Sequence, residues 1–419
     1  MSSIDQPEVT VWIPSFNHAP FLPQAIESVL GQTFQDFELI IAEDGSSDNS
    51  LEIARGYERR HAGKMRVLTH PGHENRGIAA TIKLATDSAR GLFFCGLPSD
   101  DALPRDSIEV RVETLRPVAT HSFVYGQARL FDREHPENGS TWSDDISGER
   151  EPVAALFLRN PIPGMTAMAS RKAWLGTGDH DASLRFSDWD FWMRMITCWK
   201  PVFIPRVLAL HRMTGRNATW ADGVSGYTRN NLAVLKAARA KLAEVSNVLK
   251  SDANRGLLLR ETALLHARLG ERNQARQCVA EALTADPTLT CEMSFLSRWL
   301  EAGSGGEAHR REELIVELSE IFIPVLAGFG RKSRRNDLEN LLVAFQVNAL
   351  CELGSDRSGR IARRIAQQYA FGRPWRLFNS RLGRPIWRAF LGPRLYGFGR
   401  NIFAVANRIA LRRHRGRHS

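Results

Sequence analysis

The stretch VTVWIPSFNHAPFLPQAIESVLGQTFQDFELIIAEDGSSDNS, from Val9 to Ser50, decides the fold. Short apolar runs at 9–13 and 38–42 enclose an amphipathic segment at 21–32. Apolar strands that alternate with amphipathic helices are typical of βαβ units around a buried parallel sheet. The alternation continues to residue 125, with strands expected at 65–68, 91–97 and 122–125 and helices at 50–61, 78–90 and 106–115. The sequence therefore predicts an α/β fold.

The pattern changes after Gly226, where helical periods at 230–245 and 256–285 replace the strand signal. We predict an α/β domain at 1–222, a helical domain at 227–354 and a tail at 355–419. Residues 256–289 follow the spacing of one tetratricopeptide-like repeat. An ordinary helical hairpin is the simpler interpretation, because a single repeat has no neighbour of its own kind to stack on.

The tail carries most of the charge of this chain of 419 residues, whose formal net charge is +10. Sixteen arginines and no acidic residue lie between Arg357 and Arg417, so the rest of the chain is mildly acidic. Aromatic residues are interleaved with these arginines: Phe371, Trp375, Phe378, Trp387, Phe390, Tyr396, Phe398 and Phe403. This composition favours an anionic membrane surface as a partner. A solvated tail is the alternative, and no nucleic-acid partner is expected because no binding motif accompanies the charge.

The five cysteines are scattered and form no C-x-x-C pair, which fits a reducing compartment. The N-terminus has no basic start followed by an apolar run, and no stretch approaches the length needed to cross a bilayer. We expect a cytoplasmic protein, which the tail could attach to the inner face of a membrane.

Polar residues follow the predicted strands where they end, at the edge where parallel sheets bind ligands. The first strand runs into Pro14, Phe16 and Asn17, and the second into Glu43 and Asp44. Carboxylates at this edge can accept hydrogen bonds from a nucleotide base or from ribose hydroxyls. A solvated turn would explain the acidic pair equally well if it stood alone.

Asp100 and Asp101 follow the strongly apolar fourth strand. Adjacent acids repel each other, and a bound Mg²⁺ or Mn²⁺ would relieve the repulsion while neutralising a diphosphate. A helix cap is the alternative interpretation of this pair.

Asp188 lies at the start of an amphipathic stretch that contains Trp189 and Trp192. The aromatic residues are predicted to be core. A carboxylate at a helix N-terminus beside an aromatic ring suits a general base that accepts the proton of a sugar hydroxyl.

Taken in order, these clusters resemble the family 2 glycosyltransferases, which have the GT-A fold. The resemblance runs through Gln24–Ser50, ENRGIAATIKLATDSARG at 74–91, NPIPGMTAMASRKAW at 160–174 and GDHDASLRFSDWDFWMRM at 178–195. It covers about the first half of the chain, and the ordered series is more specific than any single motif.

The resemblance implies a role for each strand-end residue. The nucleotide half of the pocket would contain Pro14, Phe16, Asn17, Glu43, Asp44, Asp100 and Arg212. Asp44 would contact the base, Asp100 and Asp101 would lie at the metal, and Asp188 would be the catalytic base. Three positions depart from the family pattern: Pro98 replaces the first acid of the DxD motif, Ser187 replaces the acid before Asp188, and Thr214 replaces a histidine.

The implied reaction is inverting transfer of a sugar from a nucleoside-diphosphate sugar, with UDP favoured, to a hydroxyl acceptor with the help of Mg²⁺ or Mn²⁺. The acceptor would be a glycan or a lipid-linked molecule in cell-surface polysaccharide or glycoconjugate synthesis. A degenerate transferase fold that only holds a nucleotide sugar is the alternative. Nucleotidyl transfer is disfavoured, because no glycine- and lysine-rich phosphate loop follows the first strand.

Overall fold

The computed structural model describes residues 6–131, 139–214 and 223–286, and a few single positions beyond them. Contacts within the chain divide it into two compact units, Met1–Lys250 and Ser251–Ser419. The part of the predicted helical domain after residue 286 and the basic tail lie outside the described residues, apart from those few positions, which include Gln346 and residues 360–362 and 365.

The first unit contains eight strands of one sheet: β1 (Val9–Ser15), β2 (Phe37–Glu43), β3 (Met65–Thr69), β4 (Phe93–Gly96), β5 (Ser122–Phe131), β6 (Thr141–Trp142), β7 (Met168–Ser170) and β8 (Lys200–Arg212). Its helices are α1 (Leu22–Leu30), α2 (Ser50–Arg60), α3 (Ile78–Ser88), α4 (Ser107–Leu115), α5 (Pro152–Leu158), α6 (Arg171–Thr177), α7 (Ser187–Met195) and α8 (Gly223–Val245). The second unit begins with α9 (Asp252–Arg268) and α10 (Arg272–Ala285).

The sheet has the order β3-β2-β1-β4-β7-β5-β6. Strand β8 is not part of this series and pairs with β5 from Ser122 to Phe131. Strands β1 to β4 are parallel, β7 runs antiparallel between β4 and β5, and β8 is again parallel to β5. This arrangement confirms the predicted α/β fold with a mostly parallel sheet. Every residue of β2 is buried, which explains the uninterrupted apolar run at 39–42 in the middle of the strand.

The core lies between the sheet and its helices. Helix α1 contributes Leu22, Ala25, Ile26 and Val29, a spacing that places all four on one face against buried residues of β1 and β2. Burying this face is the main reason that so short a helix is stable.

Helix α8 belongs to the first unit, although its helical period led us to expect a boundary near residue 222. It packs along α7 and brings Lys241 to Asp190, so its partners are in the α/β part of the chain. The contacts within the chain place the end of the first unit at Lys250. The helical period of the sequence does not show to which unit α8 belongs.

Helices α9 and α10 form an antiparallel hairpin, since the start of α9 at Gly256 faces Asp286 at the end of α10. Gly270 makes the turn between them with a φ of 75°, a conformation that favours glycine. Among the described residues, no helix is both long and apolar enough to cross a bilayer.

Candidate active site at the carboxyl edge of the sheet

The turns after β1 and β2 are joined by hydrogen bonds. The Asp44 amide donates to the Ser15 carbonyl at 2.9 Å, and the Asn17 amide donates to the Ser46 hydroxyl at 2.9 Å. In return the Ser47 amide donates to the Asn17 side-chain oxygen at 2.8 Å. Asn17 has a φ of 52°, in the left-handed region that asparagine tolerates better than most residues.

Pro14 and Phe16 flank this turn in different ways. Pro14 lies in β1 opposite Ala42 and beyond Trp12, the last residue that pairs with β4. Its missing N–H therefore removes no hydrogen bond between β1 and β4. Phe16 is 43% exposed, so its ring is available at the edge of the sheet. The predicted contacts of both residues with a nucleotide stay predictions.

The predicted base-binding acids are both buried and hydrogen-bonded. Asp44 accepts from the amides of Arg76 and Gly77 at 2.8 and 3.0 Å. Glu43 accepts from the Ser46 amide at 2.7 Å, and its other oxygen lies 2.6 Å from His73 Nε2. The two carboxylates therefore fasten the loop after β3 to the end of β2. Their predicted contacts with a nucleotide stay predictions.

Gly45 allows that loop to approach closely. Its φ is 72°, and a Cβ atom at this position would lie 2.6 Å from the Asn75 amide nitrogen. Only glycine fits such a close backbone contact without a shift of the loop.

Asp100 lies in the turn after β4 and is partly exposed. Its carbonyl accepts from Arg212 Nε at 2.8 Å, while no described residue bonds its carboxylate. Arg212 is itself buried: it contacts the Gln24 side-chain oxygen, and its guanidinium lies 4.4 Å from the centre of the Phe131 ring. Arg212 thus stabilises the Asp100 turn through its bond to the Asp100 carbonyl. Its predicted contact with the nucleotide stays a prediction.

Asp101 is fully buried and faces inward. Its carboxylate accepts from the Arg212 amide at 2.9 Å and lies 3.1 Å from His211 Nδ1. Burial raises the pKa of Asp101. Burial alone would lower the pKa of His211, but the hydrogen bond to Asp101 and the negative charges of Asp101 and Asp100 together outweigh it, so the pKa of His211 is raised. Because α4 begins only at Ser107, Asp101 stabilises the pairing of this turn with β8 and does not cap a helix.

A hydrogen bond connects the nucleotide-side turns to the Asp100 turn. His18 Nδ1, just after β1, lies 2.8 Å from the Ser99 hydroxyl, just before Asp100. The His18 amide also donates to the Ser50 hydroxyl at 3.1 Å. The predicted base-binding and metal-binding halves of the pocket therefore share one edge of the sheet.

Asp188 lies in the first turn of α7 and is half-buried. The Asn160 amide nitrogen donates to its carboxylate at 2.9 Å. Burial raises the pKa of Asp188, although this bond and the amides of Asp188 and Trp189 oppose the rise. A carboxylate with a raised pKa is a stronger base than an ordinary aspartate, provided that it is deprotonated.

The direction of β7 brings Asp188 to the same edge. Because Phe94 of β4 pairs with Ala169 of the antiparallel β7, the residues that precede β7 lie at the carboxyl end of β4. Asn160 is among them and holds Asp188. Asp44 and Asp100 thus follow β2 and β4 at this edge, and Asn160 holds Asp188 in the segment that leads to β7 from the same side. That the three acids form one site stays a prediction.

The aromatic residues of α7 are core, as predicted. Trp189 and Trp192 are buried, and the Trp192 ring stacks on Phe123 with 5.8 Å between the centroids. The indole N–H of Trp189 donates to the Leu156 carbonyl at 2.7 Å. This packing fixes the helix that carries Asp188.

Sequence reasoning assigned no role to His18 or Asn160. Asn160 follows the end of α5 and stands directly before a proline. An asparagine before a proline is typical of a turn, and this is the signal that the sequence offered for it. His18 had no such signal, since its partner Ser99 is 81 residues away.

The sequence model of Glycosyl transferase family 2 matches residues 10–174. Chondroitin synthase of Escherichia coli is 28% identical over 192 residues, which are 45% of this chain and 26% of that protein. Hyaluronan synthase of Pasteurella multocida is 31% identical over 192 residues, 45% of this chain and 19% of that protein. The chain thus spans less than a third of the length of these relatives.

The crystal structure of S. aureus TarS residues 1–349 in complex with UDP-GlcNAc is similar in fold, with a TM-score of 0.53 and 16% identity. The similarity covers 75% of this chain and 91% of that one. Together with the mostly parallel sheet, it confirms the GT-A fold, and residues 10–174 of this chain match the sequence model of the family 2 glycosyltransferases.

Proposed function

We propose that this protein transfers a sugar from a nucleoside-diphosphate sugar to a hydroxyl acceptor with inversion at the anomeric carbon. The observation that carries the proposal is the position of Asp188. It is a half-buried carboxylate with a raised pKa, held by Asn160 at the edge of the sheet where the Asp100 carboxylate has no described protein partner.

The donor is proposed to be a UDP-sugar. Hydrogen bonds within the protein hold the turns at Asn17 and Asp44, and polar groups held in this way orient a nucleotide at low entropic cost. TarS, which shares the fold, was solved with UDP-GlcNAc, and this supports the same class of donor here.

In the proposed reaction, Asp188 accepts the proton of the acceptor hydroxyl as the oxygen attacks the anomeric carbon. The C–O bond to the nucleoside diphosphate breaks in the same step, and the diphosphate leaves with the bonding electrons. Asn160 keeps the Asp188 carboxylate oriented through its hydrogen bond. Half-burial limits access of water to the base, which disfavours hydrolysis of the donor.

We propose Asp100 as the residue that holds a divalent cation. No described group of three or more His, Cys, Asp or Glu side chains is placed to bind a metal ion, so the diphosphate and water would supply the other ligands. Such a cation would offset the negative charge that develops on the diphosphate. We narrow the proposal to Asp100 because Asp101 is fully buried and already bonded.

A donor screen tests this proposal. Purified protein is incubated with Mn²⁺ or Mg²⁺ and a panel of UDP-, GDP- and dTDP-sugars, and protection from thermal unfolding is measured together with sugar release to candidate acceptors. We expect protection by UDP-sugars, and turnover once an acceptor is present. The variant Asp100→Ala should lose the part of the protection that depends on Mn²⁺, whereas Asp106→Ala, an exposed aspartate before α4, should keep it.

Two results would contradict the proposal at different points. Protection without turnover for any acceptor would favour the alternative, a degenerate transferase that only binds the nucleotide sugar, as Pro98 and Ser187 also allow. An unchanged Mn²⁺ titration in Asp100→Ala would remove the metal from Asp100.

The acceptor is proposed to be a glycan or a lipid-linked molecule, because two relatives are named for polysaccharide synthesis. We propose further that the arginine-rich tail, residues 357–419, binds an anionic membrane surface. Each arginine near such a surface contributes about 1 kcal/mol of attraction. A lipid-linked acceptor would then be close to the domain.

Vesicle co-sedimentation tests the tail. The full chain should sediment with vesicles that contain phosphatidylserine and stay in solution with phosphatidylcholine alone, and high salt should release it. A chain that ends at residue 356 should lose this binding while its thermal protection by UDP-sugars is retained. Binding that persists after the deletion would refute the role of the tail.

A further inference from the structure

Helices α7 and α8 both lie beyond the family match at 10–174, and α8 makes contacts on both sides of Asp188. Before Asp188, the ring of Tyr227 packs against Phe186 with 5.6 Å between the centroids. After it, Lys241 donates to the Asp190 carboxylate at 2.9 Å. The proposed base is therefore bracketed by two contacts from one helix.

Lys241 also contacts the loop that leads into α7. Its ammonium donates to Asp181 at 2.7 Å, and that bond is the largest cause that lowers the pKa of Asp181 to about 2. Both acids are near Asp188 in sequence: Asp181 lies seven residues before it and Asp190 two residues after it. A single ammonium group thus joins the loop and the helix.

Asp190 needs this partner because it is fully buried. Its Oδ2 atom also accepts from Arg194 Nε at 3.1 Å, while its Oδ1 atom has no hydrogen-bond partner in the part of the chain that the structure describes. Arg194 in turn donates to the backbone carbonyls of Thr177 and Asp179. A buried carboxylate that loses one of two cationic partners is strongly destabilised, so α7 would have to shift to expose it.

We propose that Lys241 is a positioning residue for the transfer reaction: through Asp190 and Asp181 it holds the first turn of α7 so that Asp188 faces the acceptor hydroxyl. It does not contact the substrates itself. The inference rests on the proposed function, and it adds that the site is complete only when α8 is present.

The test compares Lys241→Met, Lys241→Arg and the matched control Lys236→Met. Lys236 lies on the same helix, is exposed and has no described partner, so its substitution removes the same charge without touching α7. For each variant, kcat and the donor KM are measured across pH, together with amide hydrogen exchange at residues 179–195.

We expect Lys241→Met to lower kcat about tenfold or more, because small displacements of a reacting group have effects of this size. The donor KM should stay unchanged, since the nucleotide side is untouched. The acid limb of kcat should move, exchange at 187–190 should become faster, and Lys241→Arg should restore most of kcat. Lys236→Met should match the wild type in every measurement.

A wild-type kcat and pH profile in Lys241→Met would overturn the inference and leave the proposed function intact. The same holds if kcat falls equally in Lys241→Arg while the pH profile stays fixed, because the loss would then be a general loss of stability. If the wild type itself turns over no donor, the proposed function fails. Hydrogen exchange then decides the positioning role alone: unchanged exchange at 187–190 in Lys241→Met overturns it.

Discussion

Asp188→Asn should lower kcat about 10²- to 10⁴-fold, the range that a positioned general base typically contributes. The amide is nearly isosteric with the carboxylate, and its oxygen can still accept the hydrogen bond from Asn160. It cannot take a proton from the acceptor hydroxyl at neutral pH. Protection from thermal unfolding by the UDP-sugar should persist, because the nucleotide-side turns are not altered.

The control is Asp179→Asn, which changes an exposed aspartate whose carboxylate pairs only with Lys83 among the described residues and should keep the wild-type rate. The pH dependence gives a second measurement. The base works only when it is deprotonated, and burial raises its pKa. As the pH is lowered, wild-type kcat should therefore begin to fall at a pH above the usual pKa range of an aspartate. Full activity in Asp188→Asn would exclude Asp188 from the reaction.

Trp192→Ala should destabilise the protein by about 3–5 kcal/mol, the usual cost of truncating a buried aromatic side chain to alanine. Trp192 is 1% exposed and packs against Phe123, Phe191 and Trp174. The cavity would lie directly under α7, so we expect weaker transfer as well. Urea unfolding followed by circular dichroism measures the change in free energy.

Trp192→Phe separates packing from hydrogen bonding. The indole N–H of Trp192 is buried and has no hydrogen-bond partner among the described residues, so phenylalanine should cost well under half as much as alanine. A loss below about 1 kcal/mol in Trp192→Ala would mean that this part of the core can collapse around the missing ring.

Much of the fold could be predicted because local patterns determine it. The buried runs of β1 and β2 and the apolar face of α1 are visible within a window of a few residues. The predicted positions of the strand-end acids follow from the rule that parallel strands end at the same edge. These features need no knowledge of distant contacts.

The details of the site could not be predicted because they depend on long-range partners. Asp44 bonds amides 32 and 33 residues away, and Asp101 bonds His211, 110 residues away. Whether an acid faces a cleft or the protein interior is set by these partners. Two adjacent residues such as Asp100 and Asp101 therefore look equivalent in the sequence, although in the folded chain Asp100 is partly exposed and Asp101 is buried.

The contacts of α8 could not be predicted for a related reason. A helical period identifies α8 as a helix, but its membership in a unit depends on what its sides contact. Lys241 gave no local sign of its bonds to Asp181 and Asp190, 60 and 51 residues away.

The reversed direction of β7 has a consequence for engineering. Strands β1, β2 and β4 deliver their residues to the site from the segments that follow them, whereas β7 delivers Asn160 from the segment that precedes it. In the proposed reaction, the donor and the acceptor would thus be served by different stretches of chain. Libraries built in the exposed residues 147–151, which leave the buried side chains of α5 unchanged, should retune the proposed choice of acceptor while the proposed choice of sugar nucleotide stays as it is.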